Sequence, residues 1–205
     1  MIAIIDYRMG NLGSISNMLK KVGAPASVTS DAHEIAAVEK LVLPGVGAFD
    51  VGMTHLRDMG LIDVLRERVL RQQTPILAIC LGMQLLTERS EEGRLPGLGW
   101  IEAETIRFRI QPRTAGLKVP HMGWNSIRLR RPDPFFKDLE PDAGFYFVHS
   151  YHLVARRDED VLAETHHGYD FVCAVRRDNI MGTQFHPEKS HRYGMRVLKN
   201  FAELV

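Results

Sequence analysis

Apolar residues in the first half of the chain arrive as short unbroken runs, separated by stretches with helical spacing. Ile2, Ala3, Ile4 and Ile5 form the first run, the pattern of a strand covered on both faces. Leu12, Ile15, Leu19 and Val22 fall on one face of a helix predicted over Asn11 to Val22 and stopped at Gly23. Ala26 to Thr29 reads as a second strand, and Asp31 as the cap of a helix through Val38. Leu41 to Leu43 is a third strand, closed by Pro44 and Gly45. Helical segments follow over Phe49 to Met59 and Leu61 to Gln72. Pro75 to Cys80 is a fourth buried strand that runs into a helix from Met83 to Arg89. This repeated strand–helix order predicts an open parallel sheet with helices on both faces, an α/β fold.

From about Trp100 the pattern changes to strands separated by turns, clearest at Phe145 to Tyr151, Val161 to Thr165, Phe171 to Val175 and Ile180 to Phe185. A helix from Tyr193 to Leu204 follows them. No repeat, low-complexity tract or linker divides the chain, and Gln111 to Gly116 is the expected mobile surface loop. With 205 residues, 45% of them apolar, one domain over residues 1–205 is expected.

Charge and cysteine content narrow the functions. Lys and Arg number 26 against 25 Asp and Glu, a formal net charge of +1, which lends no support to a nucleic-acid partner. The Arg pairs at 130–131, 156–157 and 176–177 are scattered, as solvated strand ends are. Cys80 and Cys173 are the only cysteines and predict no disulfide. No run of about 18 apolar residues suits a membrane span, and no secretory leader pattern is present, so a soluble cytoplasmic protein is expected. His33 and His55 lack ligand spacing, and the adjacent His166 and His167 project to opposite faces. No zinc cluster and no calcium loop is found, so no metal or cofactor is expected.

The stretch Ile76-Leu77-Ala78-Ile79-Cys80-Leu81-Gly82-Met83-Gln84 carries the sharpest chemistry. A buried strand that turns at once into a helix exposes one side chain at the turn, and the residues two before and two after it must be small. Ala78 and Gly82 meet that need. A free cysteine is ordinarily a core residue, but this spacing favours a nucleophile at Cys80, where a helix N-terminus promotes the thiolate. The Leu81 N–H then offers half of an oxyanion hole. Cys173 has no such setting and reads as core.

Near the C-terminus, Gly182-Thr183-Gln184-Phe185-His186-Pro187-Glu188 ends an apolar strand with His and Glu two apart. Pro187 keeps His186 out of the helical region. In an extended segment the two side chains project to one side, so His186 reads as base and Glu188 as the group that orients it.

Together these motifs resemble the triad (class I) glutamine amidotransferases. Asp6 to Leu12, Leu43-Pro44-Gly45-Val46-Gly47-Ala48-Phe49, Cys80 to Leu86, Pro120 to Asn125, Phe147 to Tyr151 and Gln184 to Ser190 are similar to the glutaminase subunits of imidazole glycerol phosphate synthases, across nearly the whole chain. The resemblance implies a central mixed, mainly parallel sheet and a heterodimer with a barrel-shaped synthase (cyclase) subunit. Ammonia released here from glutamine would build the imidazole ring in histidine synthesis. It implies catalysis by Cys80, His186 and Glu188, with oxyanion donors at Leu81 and in the loop at Val46 and Gly47. Gly45, Gly47, Gln84, His149, Ser150 and Tyr151 would hold the glutamine. Asn11, Trp124, Asn125, Tyr146 and Lys189 would lie toward the partner and the ammonia passage.

Two departures stand out. Ala78 occupies a position usually held by Gly and is still small. Arg8 replaces a common Gly in the first loop, near the implied interface, which points to altered pairing. Lys189 to Met195 also resembles paralogues that supply ammonia for amidino groups on bacterial surface sugars. A thiol hydrolase or protease on a similar scaffold and a catalytically silent regulatory subunit are the readings from other classes. The Gln84 and His149-Ser150-Tyr151 matches speak against the first, and the presence of all three catalytic side chains against the second. Glycine on both sides of Val46 permits a peptide flip at low cost, so the oxyanion hole is expected to be completed only when the partner's ligand binds.

Overall fold

The computed structural model describes residues 1–110 and 117–205. The loop expected at Gln111 to Gly116 lies outside the described residues. The first half runs β1 (Ile2–Ile5), α1 (Leu12–Lys21), β2 (Ala26–Thr29), α2 (Ala32–Ala37), β3 (Lys40–Leu43), α3 (Phe49–Asp58), α4 (Leu61–Arg66), β4 (Ile76–Ile79) and α5 (Leu81–Leu85). The second half runs β5 (Arg89–Ser90), β6 (Ala103–Arg107), β7 (His121–Ser126), β8 (Arg128–Leu129), β9 (Gly144–His149), β10 (Tyr151–Ala155), β11 (Val161–His166), β12 (Asp170–Arg177), β13 (Ile180–Thr183) and α6 (His191–Leu204).

Among the described residues eleven strands form one mixed sheet in the order β2-β1-β3-β4-β13-β12-β10-β6-β5, with β11 beside β12 and β8 beside β11. The strands from β2 to β13 are parallel to their neighbours, and β13, β12, β10 and β6 alternate in direction. β7 and β9 form a separate antiparallel pair. Successive residues of β1 explain why helices cover both faces. Ile2 and Ile4 join a core with Leu19 of α1 and Phe201 of α6. Ala3 and Ile5 join the opposite core with Ile35 of α2, Met53 of α3, Leu65 of α4 and Leu85 of α5. A strand with no wet face has no polar alternation to show, as the unbroken apolar runs required.

The register places the site. Leu43 of β3, Ala78 of β4 and Gly182 of β13 stand level in adjacent parallel strands. The segments that follow them, at Pro44, Cys80 and Gln184, therefore emerge side by side at one edge of the sheet, where ligands of open α/β sheets bind.

Four local expectations change. The helix expected over Met83 to Arg89 begins at Leu81 and ends with Leu85. The carbonyls of Leu85, Leu86 and Thr87 turn instead to the N–H groups of Leu98, Trp100 and Gly99, which closes the helix early. The strand expected over Phe145 to Tyr151 is two strands that break at Ser150, His149 pairing in the small sheet and Tyr151 in the large one. The helix to Gln72 finishes as a π-helical turn over Glu67–Arg71. Finally, Pro187–Lys189 is a 3₁₀ turn and not extended chain. It is this turn, hydrogen-bonded from Lys189 N to His186 O at 3.0 Å, that brings Glu188 back beside His186.

Gly194 seats α6 on that turn, since a Cβ there would run into the Pro187 carbonyl oxygen. Alanine is the better helix former by about 1 kcal/mol, but overpacking against backbone costs about 1–3 kcal/mol, so packing decides the sign. Gly194→Ala is expected to lower the urea midpoint of unfolding. A raised midpoint would mean that α6 does not bear on this turn.

Candidate active site

Cys80 sits where β4 becomes α5, at φ 54° and ψ −109°. A non-glycine residue at such a backbone conformation holds roughly 1–3 kcal/mol of strain that its surroundings must enforce. They do so by close packing. A Cβ at Gly82 would run into the Leu43 carbonyl oxygen, and one at Gly45 would lie 2.6 Å from the Tyr7 hydroxyl and 2.7 Å from Gly82 N. Tyr7, fully buried, donates its hydroxyl to the Pro44 carbonyl at 2.5 Å. Cys80 N donates to Thr183 O at 2.7 Å, continuing the ladder between β4 and β13 past the end of the strand.

The Leu81 N–H is already engaged: it donates to Gly45 O at 3.3 Å. Val46 and Gly47 are exposed beyond it, and Gly47 stands at φ +111°, a conformation that glycine alone adopts freely. Arg8 occupies a left-handed conformation too, at φ 67°, with its N–H bonded to Asp6 Oδ1. This accounts for the glycine that the resemblance leads one to expect there.

His186 Nδ1 lies 2.8 Å from Glu188 Oε1, and both side chains are 1% exposed. His186 N donates to Tyr146 O (2.9 Å), and Ser190 Oγ donates to His186 O (2.6 Å), which fixes the backbone around the ring. Its Nε2 is buried with no hydrogen-bond partner among the described residues. Burial opposes the charged imidazole, but the negative sulfur of Cys80 and the Glu188 carboxylate outweigh it, and the pKa is pushed up to about 10.

A cleft of about 340 Å³, at the small end for a ligand site, opens over Cys80. Val46, Gly47, Leu81 and Gln84 line it from one side of the chain, and His149, Ser150 and Tyr151 enter at the break between β9 and β10. Gly45 lies behind this lining. Gln84 Nε2 donates to Tyr151 O and to Gln184 Oε1, both at 3.1 Å, so only its oxygen remains for a ligand. His149 has no free nitrogen: Nδ1 donates to Tyr151 O (2.7 Å), and Nε2 meets His121 Nδ1 (3.1 Å). Burial holds its pKa well below the ordinary value and that of His121 at about 4, so the pair is neutral. His149 therefore shapes the cleft with its ring and its neighbour's carbonyl.

The sequence reading missed Glu92, Pro120 and Val148, which also line the cleft. Glu92 Oε2 accepts from Phe49 N at 2.8 Å. Nothing in its own neighbourhood, a run of turn-forming polar residues, marks it as a site carboxylate. Trp124, Tyr146 and Lys189 form one patch. The Trp124 ring, 52% exposed, lies 6.1 Å from Tyr146 across the β7–β9 pair, and Lys189 Nζ stands 5.5 Å over the Tyr146 ring. Asn125, the next residue along β7, instead donates to His166 O (2.7 Å). Asn11 accepts from Ser14 Oγ (3.1 Å) at the start of α1.

Comparison with known proteins gives the family and the fold. Residues 3–204 match the family Glutamine amidotransferase class-I. Imidazole glycerol phosphate synthase subunit HisH 2 of Methanococcus maripaludis is 50% identical over 201 residues, 98% of each chain. Subunit HisH 2 of Pseudomonas aeruginosa is 50% identical over the full length of both chains, and HisH of Bdellovibrio bacteriovorus 44% identical over 204 residues. Among solved structures, PurLQS from Thermotoga maritima superposes with a TM-score of 0.72 at 17% identity, covering 98% of this chain and 96% of that one. A structure described as a glutamine amidotransferase gives 0.67 at 21%, covering 96% and 98%. These two show the shared fold. No helix among the described residues is long and apolar enough to cross a membrane. With one family spanning residues 3–204 and relatives half identical along their whole length, the chain belongs to the class-I glutamine amidotransferases, among the HisH subunits of imidazole glycerol phosphate synthase.

Proposed function

We propose that this chain hydrolyses glutamine at Cys80 and passes the ammonia to a synthase subunit that builds imidazole glycerol phosphate, the product named for its relatives. The observation that carries the proposal is a strained Cys80 beside a buried His186–Glu188 pair, at the base of a cleft of amino-acid size. The Cys80 thiolate attacks the side-chain carbonyl carbon. His186, protonated at neutral pH, gives its proton to the departing nitrogen, and ammonia leaves a glutamyl thioester. His186 then takes a proton from water, which attacks the thioester and releases glutamate, with Glu188 holding the imidazole. The oxygen of Gln84 and the Glu92 carboxylate are acceptors suited to the α-ammonium group. Trp124, Tyr146 and Lys189 are the patch assigned to the partner.

The oxyanion hole needs a rearrangement. The Gly45 carbonyl that holds Leu81 N–H belongs to the same peptide unit as the Val46 N–H. Turning that unit over withdraws an acceptor and presents a donor in one motion. A partner whose occupied site favours the turned form must supply about 5.5 kcal/mol of differential affinity to move the balance from 1:99 to 99:1.

A second reading keeps the chemistry and changes the acceptor. Both relatives at 50% identity are numbered HisH 2, which suits a paralogue serving another synthase, such as one adding amidino groups to surface sugars. Co-purification with each candidate synthase separates the two.

Cys80→Ala is expected to abolish glutamine-dependent turnover in the assembled enzyme and to leave turnover with free ammonia intact. Retained glutaminase activity would remove the proposal. His186→Asn should cost roughly 10²–10⁴-fold, and Glu188→Gln less, because an amide oxygen still orients the ring.

The raised pKa makes a separate prediction. By NMR, the His186 ring should stay protonated from pH 6 to 8 in the native chain, and its midpoint should fall in Cys80→Ala, which deletes the largest influence raising it. Equal midpoints would mean that Cys80 is not its charge partner.

Proline cannot adopt the φ of +111° found at Gly47. Gly47→Pro is therefore expected to lower ligand-stimulated glutaminase activity more than it lowers affinity for the partner. An unchanged stimulated rate would rule out this loop as the gate.

A further inference from the structure

Two buried carboxamides connect the Tyr151 carbonyl to the Cys80 sulfur, and their orientation is not free. A carbonyl oxygen only accepts. Tyr151 O takes one hydrogen bond from His149 Nδ1 at 2.7 Å and one from Gln84 Nε2 at 3.1 Å. Gln84 thus faces it with nitrogen, and the other hydrogen of the same NH₂ goes to Gln184 Oε1 at 3.1 Å. With its oxygen occupied, Gln184 has only its nitrogen to turn toward Cys80 Sγ, which it meets at 3.6 Å, a hydrogen-bond distance for the larger sulfur atom. Flipping Gln184 would set two NH₂ groups against each other and a carbonyl oxygen against the sulfur.

We infer that Gln184 is a positioning residue for the hydrolysis, locked as a donor by Gln84 and the Tyr151 carbonyl so that its N–H holds the Cys80 sulfur and favours the anion. The inference rests on the reading of Cys80 as nucleophile. Gln184 is fully buried and does not line the cleft, so it acts through the sulfur and not on the substrate. It also restricts where the thiol proton goes. A sulfur that receives an N–H from Gln184 gives nothing back to it, and among the described residues of the site the buried nitrogen left without a partner is His186 Nε2. The same short segment supplies all three influences on Cys80. Thr183 O accepts its backbone N–H at 2.7 Å, Gln184 donates to its sulfur, and His186 stands two residues on.

Gln184→Met keeps approximate volume and deletes the donor; Gln184→Glu keeps shape and replaces the donor with an acceptor. The test is alkylation of Cys80 by iodoacetamide at pH 7, read at that residue by mass spectrometry, together with kcat and KM for glutamine in the complex with the synthase. Loss of one hydrogen bond to a charged group predicts alkylation roughly tenfold slower in Gln184→Met. Gln184→Glu should be slower still. In both, kcat should fall in step while KM stays within about twofold, since Gln84 is still held by the Tyr151 carbonyl with its oxygen toward the cleft. A purely packing role would lower the melting temperature and leave the alkylation rate alone. Native alkylation rates in the folded variants, a change confined to KM, or failure of both variants to fold would each overturn the inference. Cys80→Ala assayed in parallel separates the two claims, because glutaminase activity surviving there removes the nucleophile itself, whereas unchanged alkylation removes only the part given to Gln184.

Discussion

The level row of Leu43, Ala78 and Gly182 across three parallel strands is the constraint from which the candidate active site hangs. It brings the ends of β3, β4 and β13 to one edge, so the loop at Gly45, the elbow at Cys80 and the segment of Gln184 and His186 meet without any long-range reach. At β4 and β13 the row leaves little room for a side chain. A Cβ at Gly182 would lie 2.5 Å from Met83 Cγ, and Ala78 beside it is fully buried. Alanine where the family usually has glycine fits because this position needs a small residue and not an unusual backbone angle.

Strain at Cys80 and order in the polar groups around it have a common source. The side chains of His121, His149, Gln84 and Gln184 are taken out of water, where an unmatched donor or acceptor costs about 1–3 kcal/mol. The matched pairs therefore have one direction only: His121 to His149, His149 and Gln84 to the Tyr151 carbonyl, Gln84 to Gln184, Gln184 to the sulfur. The exceptions among the described residues of the site are His186 Nε2 and Glu188 Oε2. On the proposed reading the first of these is the atom that carries protons, and an atom that exchanges protons with a substrate cannot also be tied to the protein.

The loop between Pro44 and Gly47 shows the opposite design. Tyr7 grips its start through the Pro44 carbonyl, while Val46 and Gly47 stand in solvent. A segment anchored at one end and glycine-flanked at its centre can turn one peptide without disturbing β3 or the elbow. That confines a conformational step to a few atoms beside Cys80, as the proposed gate requires.

Much of this was readable along the chain. Runs of apolar residues mark strands buried on both faces, Asp31 marks a helix start by accepting from His33 N and Glu34 N, and the small residues flanking Cys80 mark the turn. Each of these is a property of residues close in sequence, set by periodicity, capping and sterics. The early end of α5, the break at Ser150 and the 3₁₀ turn at Pro187 were not readable, because each is settled by a hydrogen bond or strand pairing offered from elsewhere. The same holds for Glu92 in the cleft, for the internal use of both His149 nitrogens, and for the donor that Gln184 turns to a cysteine 104 positions away. The local pattern thus singled out Cys80 and His186 as candidates, whereas strand register and the directionality of buried hydrogen bonds, which exist only once distant segments are packed and dried together, decided what surrounds them.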